Sequence, residues 1–383
     1  MIRVLVPREC RPGETRVAAT PETVRRLSAR GCLLHVEQGA GAASGFDDAA
    51  YGEAGAQLID PATVAAEHWS KADVVLAVQA GSIAQQRREL EALRPGSLLL
   101  GLLEPHGNDS LKQQLEQQRL TAMALELLPR ISRAQTMDVL SSQANIAGYK
   151  AVLLASAALD RYVPMLMTAA GTIQPARALI LGAGVAGLQA LATARRLGAV
   201  AYVSDVRAAA KEQVESLGGR FIDPPELEQK PGETGGYAQQ ATEDFLAAQR
   251  RQLTEQLALA DMVICTAQVP GRPAPRLIDD AMLQHMRPGS VVVDLAVAQG
   301  GNCEGSQPGT TVLRHGVQLI GADQLPCSVA NHASALYARN VAALLEHLLE
   351  ASGSEPTALQ LDLEDPIVSG CLFTHHAMAG GAA

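Results

Sequence analysis

Ala178-Leu-Ile-Leu-Gly-Ala-Gly-Val-Ala-Gly187 is the stretch on which the fold turns. Four apolar residues run into a Gly-x-Gly-x-x-Gly turn. A segment rich in Ala and Leu follows to Leu197, with Gly198 at the C′ position. The next apolar run, Ala201–Ser204, delivers Asp205 at its end. The glycine motif alone is weak, but strand, turn, helix, strand and acid in this order form a dinucleotide-binding fingerprint. Gly182 permits the tight turn, Gly184 lets a pyrophosphate approach the backbone, and Gly187 lets the helix lie close on the strand. The helix start, with Ala183 and Val185 beside the glycines, offers free N–H groups and a partial positive charge to phosphates. Asp205 is placed to accept hydrogen bonds from ribose hydroxyls. Its charge repels a 2′-phosphate, which favours NAD(H) over NADP(H). Arg207, just past Val206, is the complication, since an arginine there can take a phosphate.

Outward from this stretch the pattern repeats. Runs at Arg3–Val6, Leu33–Val36, Val74–Val78, Ser97–Leu103 and Ala122–Leu128 read as buried strands, separated by amphipathic segments such as Pro21–Arg30 and Ser82–Leu93. A second series has strands at Ala178–Leu181, Ala201–Ser204, Met262–Thr266, Ser290–Leu295 and Val317–Ile320. Long helices are expected from Ser141 to about Asp160 and from about Ser328 to Ala351, and the tail Asp365–Thr374 has the length to return a strand. The expected fold is α/β: two doubly wound, Rossmann-like parallel-sheet domains joined by two long helices, with a ligand cleft between them. The expected limits are 1–140 with 352–383 for the first domain and 166–327 for the nucleotide-binding domain. The connecting helices fall at 141–165 and 328–351. Pro224–Tyr237, rich in Pro, Gly and Glu, reads as a mobile loop long enough to serve as a lid.

Composition excludes several classes. With 383 residues, 47% hydrophobic and 19% charged, the chain is globular and long enough for two domains. A net charge of -9 and 3% aromatics argue against nucleic acid, because neither phosphate neutralisation nor base stacking is provided for. Six scattered cysteines without a C-x-x-C pair read as reduced thiols, and Cys303 has no base nearby to make it a nucleophile. The nine histidines show no metal spacing, so no metal is expected, and His375-His376 reads as an exposed tail. The start Met1–Pro7 reads as a strand rather than a signal peptide. No apolar run reaches the ~18 residues of a membrane span, so no direct membrane insertion is expected. Docking on a membrane partner stays open.

A second polar concentration precedes the glycine motif. Leu128-Pro-Arg-Ile-Ser-Arg-Ala-Gln-Thr-Met-Asp-Val-Leu-Ser141 carries Arg130, Arg133, Gln135, Asp138 and Ser141 at the base of a helix. Its planar hydrogen-bonding groups suit a carboxamide and a ribose, but the same residues also read as an interdomain hinge and helix cap.

This block, with Val6-Pro-Arg-Glu-Cys10, Glu14-Thr-Arg-Val17, Gly182–Gly187, Asp205-Val-Arg207, Gly235-Gly-Tyr-Ala238, Val269–Pro275, Gly289–Asp294 and Gln299-Gly-Gly-Asn-Cys-Glu304, resembles the alanine dehydrogenase/transhydrogenase family. Within it the likeness is to the NAD(H)-binding α1 subunits of proton-translocating NAD(P) transhydrogenases, and it covers nearly the whole chain. That resemblance implies that Arg130, Gln135, Asp138 and Ser141 surround the nicotinamide, with Gln135 reaching toward NADP(H) on a partner β subunit. It implies further cofactor contacts from Ile131, Ser132, Arg133, Gly236, Tyr237, Gln249, Thr266, Ala267 and Gln268, with Tyr237 on the closing loop. Gln268 departs from the apolar residue expected there. A homodimer is implied too, held on the cytoplasmic face of the inner membrane by a membrane-spanning partner subunit.

The rival reading is alanine dehydrogenase. Its chemistry calls for an arginine and a lysine for the substrate, a histidine, and an aspartate near the nicotinamide. Arg16 matches the first, but Gln79 stands at the lysine position, the histidine falls near Gly101, and the aspartate is Ala298. Losing one acid–base group costs about 10²–10⁴-fold in rate. Direct hydride transfer between two nicotinamides needs no such groups, only positioning and exclusion of water. A non-catalytic NAD(H) sensor shares the fold and ligand but predicts no turnover.

Overall fold

The computed structural model describes residues 1–60, 65–225, 243–269, 271–352 and 359–377. They fall into two compact units: 1–143 with 326–383, and 144–325.

Unit 1 contains β1 (Ile2–Val6), β2 (Cys32–Glu37), β3 (Gln57–Ile59), β4 (Val74–Leu76), β5 (Leu98–Gly101) and β6 (Thr121–Ala124). They form one parallel sheet in the order β3-β2-β1-β4-β5-β6, and the C-terminal strand Leu372–Thr374 adds itself antiparallel to β6. Parallel strands are covered on both faces, which is why β4, β5 and β6 are buried at every residue. Alternation then sorts the side chains. Val4 and Val6 enter one core with Tyr337, Val341 and Leu345 of the helix Ala330–Ala351, and Leu5 enters the other with Trp69 and Ile83. That helix lies wholly in unit 1, and the chain changes unit between Leu325 and Pro326.

Unit 2 opens with a hairpin of β7 (Leu166–Thr168) and β8 (Gly171–Ile173), followed by β9 (Arg177–Leu181), β10 (Val200–Ser204) and β11 (Arg220–Ile222). It continues with β12 (Met262–Cys265), β13 (Val291–Asp294), β14 (Thr311–Arg314) and β15 (Val317–Gly321). The main sheet runs β11-β10-β9-β12-β13-β15-β14, parallel except for β14. Both units therefore share the order 3-2-1-4-5-6 with an antiparallel seventh strand. The order reverses between β1 and β4 in one unit and between β9 and β12 in the other, and such a switch point leaves a crevice at the strand ends.

The long helix expected from Ser141 runs Val139–Ala158 and stops before the hairpin. The hairpin, β3, β11 and β14 were not anticipated. They are three- or four-residue elements with polar or exposed positions, too short for an apolar period to register.

Candidate dinucleotide-binding site

In unit 2 the glycine turn leaves the tip of β9. Gly182 has φ +103°, a left-handed conformation that favours glycine, and a Cβ there would lie 2.7 Å from Thr266 Oγ1. A Cβ on Gly187 would lie 1.8 Å from the Gly182 carbonyl oxygen, so the helix Val185–Arg196 can approach the strand only with glycine at that position. Gly184 differs: nothing lies within 4 Å of where its Cβ would be. The open space stands directly at the helix start, where Gly184 is the N-cap and no side chain caps the helix. An uncapped N-terminus facing open space, with no Cβ to obstruct it, suits an anionic diphosphate. A further glycine supports this helix from behind. A Cβ on Gly148, in the helix Val139–Ala158, would meet the Ala186 carbonyl oxygen at 2.1 Å.

Asp205 follows β10, and its carboxylate is well supplied with donors. Oδ2 accepts the Ala183 N–H at 2.7 Å and Oδ1 accepts the Arg207 N–H at 2.8 Å. The Arg207 guanidinium adds two bonds of 2.9 Å. Burial alone would raise the carboxyl, but Arg207 and the backbone donors outweigh it and hold Asp205 below the usual carboxylate range. Arg207 is itself 61% exposed along its side chain, so its pair with Asp205 is worth no more than about 1 kcal/mol and opens readily. Val206 is exposed.

The third wall is the exit of β12. The Thr266 hydroxyl lies 3.1 Å from the Leu181 carbonyl and 3.0 Å from that of Gly182, and so supports the turn from below. Ala267 has both its N–H and its carbonyl bonded to the side chain of Asn302. The unexpected Gln268 is exposed and donates to the Leu295 carbonyl at 2.8 Å, tying the exits of β12 and β13 together. Gln249 is half-buried on the helix Glu243–Leu259. Gly236 and Tyr237 lie outside the described residues, as does the expected lid beyond Pro225.

The Arg130–Ser141 block belongs to unit 1. Asp138 caps the helix Val139–Ala158, accepting the Ser141 N–H at 2.9 Å and the Ser141 hydroxyl at 2.5 Å. Arg130, Ile131, Ser132, Arg133 and Gln135 are all exposed. Arg133 reaches Asp365 at 3.4 Å. Arg130 and Gln135 make no side-chain hydrogen bond among the described residues. Two members of the block thus serve the cap, and two are left free.

The positions that alanine dehydrogenase chemistry would use are also in unit 1. Arg16 is buried and donates to both Glu14 oxygens, at 2.7 and 2.6 Å, and to Gln143 at 2.9 Å. Gln79 donates to Glu14 at 3.0 Å and accepts from Arg11 at 3.1 Å. Gly101 is decisive: a Cβ there would stand 2.3 Å from the Ala77 carbonyl oxygen and 2.8 Å from Ala80 Cβ. No side chain fits at that position, least of all an imidazole.

Family models described as the alanine dehydrogenase/PNT N-terminal and C-terminal domains match residues 5–147 and 151–379. The chain belongs to this family. Within the family it is 46% identical to an NAD(P) transhydrogenase subunit alpha chain of Rhodospirillum rubrum over 390 residues, covering 100% of both chains. A solved transhydrogenase from Sinorhizobium meliloti superimposes with a TM-score of 0.85 at 42% identity, over 98% of this chain and 99% of that one. Alanine dehydrogenase of Bacillus subtilis is 30% identical over 85% of this chain and 79% of its own length. The family includes both chemistries, and the chain falls on the transhydrogenase side, as Gly101 requires.

The glycines, Asp205 and the β12 exit are legible in the sequence, and the fold brings them together at the tips of β9, β10 and β12. Asn302 is not: the sequence marks it only as a member of the Gly-Gly-Asn-Cys-Glu run, without a role.

Proposed function

We propose that the chain is the NAD(H)-binding subunit of a proton-translocating NAD(P) transhydrogenase. The observation that carries the proposal is the pairing of an open dinucleotide turn with a Gly101 that leaves no room for the histidine of an amino-acid dehydrogenase. When bound, NADH supplies a hydride from C4 of its nicotinamide to C4 of NADP+ held by a partner subunit, yielding NAD+ and NADPH with no proton moved at the site. The chain's own residues bind and orient. The Gly182–Gly187 turn and its helix N-terminus hold the pyrophosphate. Asp205, once Arg207 swings aside, accepts the ribose hydroxyls and repels a 2′-phosphate, which selects NAD(H). Asp138 and Ser141 fix the helix start, while Arg130 and Gln135 are free to contact the nicotinamide and its hydride acceptor. Positioning of this kind contributes roughly 7–11 kcal/mol to such a step.

No helix among the described residues is long and apolar enough to cross a membrane. Proton movement is therefore assigned to a membrane-spanning partner, with the NADP(H)-binding β subunit as the other, at the cytoplasmic face of the inner membrane. The hairpin of unit 2 exposes Met165, Met167 and Ile173, an apolar surface that supports a homodimer.

Purified chain is mixed with an NADP(H)-binding β subunit, and NADH oxidation by an NADP+ analogue is followed. Rapid transfer is expected in the mixture only, with no alanine-dependent NADH formation by the chain alone. Alanine oxidation by the chain would overturn the assignment, and a silent mixture would favour a non-catalytic sensor.

A further inference from the structure

We propose that Asn302 is a positioning residue for the nicotinamide half of the dinucleotide, acting through the peptide of Ala267. The proposal rests on the nucleotide reading of unit 2 and adds a residue to it. Asn302 follows Gly300 and Gly301, which have φ +99° and +79°, and its side chain is fully buried. A primary amide offers one acceptor oxygen and two N–H donors, and here all are engaged. Oδ1 accepts the Ala267 N–H at 3.0 Å, and Nδ2 donates to the Ala267 carbonyl at 2.8 Å and to the Pro275 carbonyl at 2.8 Å. One side chain thus holds both polar groups of Ala267 and ties them to the far end of the same loop.

The amide is in turn held from behind. Buried Asp294, at the end of β13, accepts the Cys303 N–H at 2.9 Å and the Ala296 N–H at 2.9 Å. A Cβ on Gly301 would meet Asp294 Oδ2 at 2.9 Å, so the loop lies directly on that carboxylate. The series therefore runs from Asp294 through the 301–303 backbone and Asn302 to Ala267. Ala267 N lies 3.2 Å from the Cβ direction of Gly182, against the glycine turn itself.

The geometry also says which part of the ligand should notice. A dinucleotide lies across the strand ends of a doubly wound sheet, one mononucleotide on each side of the first strand. Asp205, on the β10 side, serves the adenosine half. Ala267 is on the β12 side, under the other half. Loss of the Asn302 clamp should therefore weaken NADH much more than AMP. A residue that merely stabilised the fold would weaken both together.

The test uses the full chain with NADH and AMP as separate probes, in Asn302→Ala and in the near-isosteric Asn302→Asp. AMP affinity is expected to stay within about twofold of the parent, which also shows that unit 2 is folded, while NADH affinity falls about tenfold or more. In Asn302→Asp, lowering the pH should restore part of the NADH affinity, because a neutral carboxylic acid again donates to one carbonyl. Should Asn302→Ala fail to fold, Asn302→Asp carries the test alone. Equal losses for both probes, or an unchanged NADH affinity, would overturn the inference. A parent chain that binds neither probe would instead remove the nucleotide reading on which it rests.

Discussion

At the strand ends of β9 and β12, unit 2 keeps a glycine turn, an uncapped helix start and open space beyond Gly184. At the matching ends of β1 and β4, unit 1 has the same strand order but fills the crevice with its own side chains. Glu9 follows β1 and accepts the N–H groups of Val78 at 2.7 Å and Gln79 at 3.0 Å, where unit 2 sends Asn302 to the exit of β12. The second strands compare just as directly. Glu37 ends β2 and accepts the Arg8 N–H, as Asp205 after β10 accepts that of Ala183. Asp205 is paired to an exposed arginine that can swing away. Glu37 is sealed under Arg87 at 2.7 and 3.1 Å, with side-chain exposures of 1% and 15%. Topology supplies a crevice in both units, and residue chemistry decides which one is left for a ligand.

Breaking the seal should have the largest effect. Arg87→Met leaves Glu37 a buried carboxylate without its cation, at a cost of about 3–5 kcal/mol. The counterpart in unit 2, Arg207→Met, should cost less than about 1 kcal/mol because that arginine is exposed. Chemical denaturation of both variants measures the contrast. Equal losses would mean that the two acids are not held differently.

A pH series sharpens the picture of the filled crevice. Burial would raise Glu14, but its bonds to Arg16 and Gln79 prevail and bring it down to about 2. A carboxyl lowered on folding contributes stability that is complete above its unfolded value near 4.5 and is lost as pH falls toward 2. For Glu14 the loss is about 2–3 kcal/mol. Glu9 works in the opposite sense. Burial pushes it up to about 7, so its contribution is complete below about 4.5 and is lost as pH rises through 7. Melting temperature followed from pH 5 to 2.5 should fall less steeply in Glu14→Gln than in the parent, although the variant starts lower. Parallel slopes would remove Glu14 as the source.

The nucleotide half is readable because its signals are local. Strand, turn, helix and Asp205 follow one another within 28 residues of Ala178, and each glycine has a steric reason. The seal and the clamp are not readable, because their partners are far apart in the chain. Arg87 meets Glu37 across 50 residues, and Asn302 meets Ala267 across 35. No periodicity links such pairs. The Arg130–Ser141 block reads as both a cap and a ligand surface. Asp138 and Ser141 form the cap, and the ligand role of Arg130 and Gln135 remains a proposal.

The central claim is that the space beyond Gly184 belongs to a bound dinucleotide. Gly184 has φ −77°, which any residue adopts, so Gly184→Ala is sterically silent in the protein alone. Titration of the parent and of Gly184→Ala with NADH, beside their melting curves, tests this directly. Unchanged melting is expected, with an affinity lowered at least about tenfold, ~1.4 kcal/mol. Undiminished NADH affinity in a normally melting Gly184→Ala protein would contradict it.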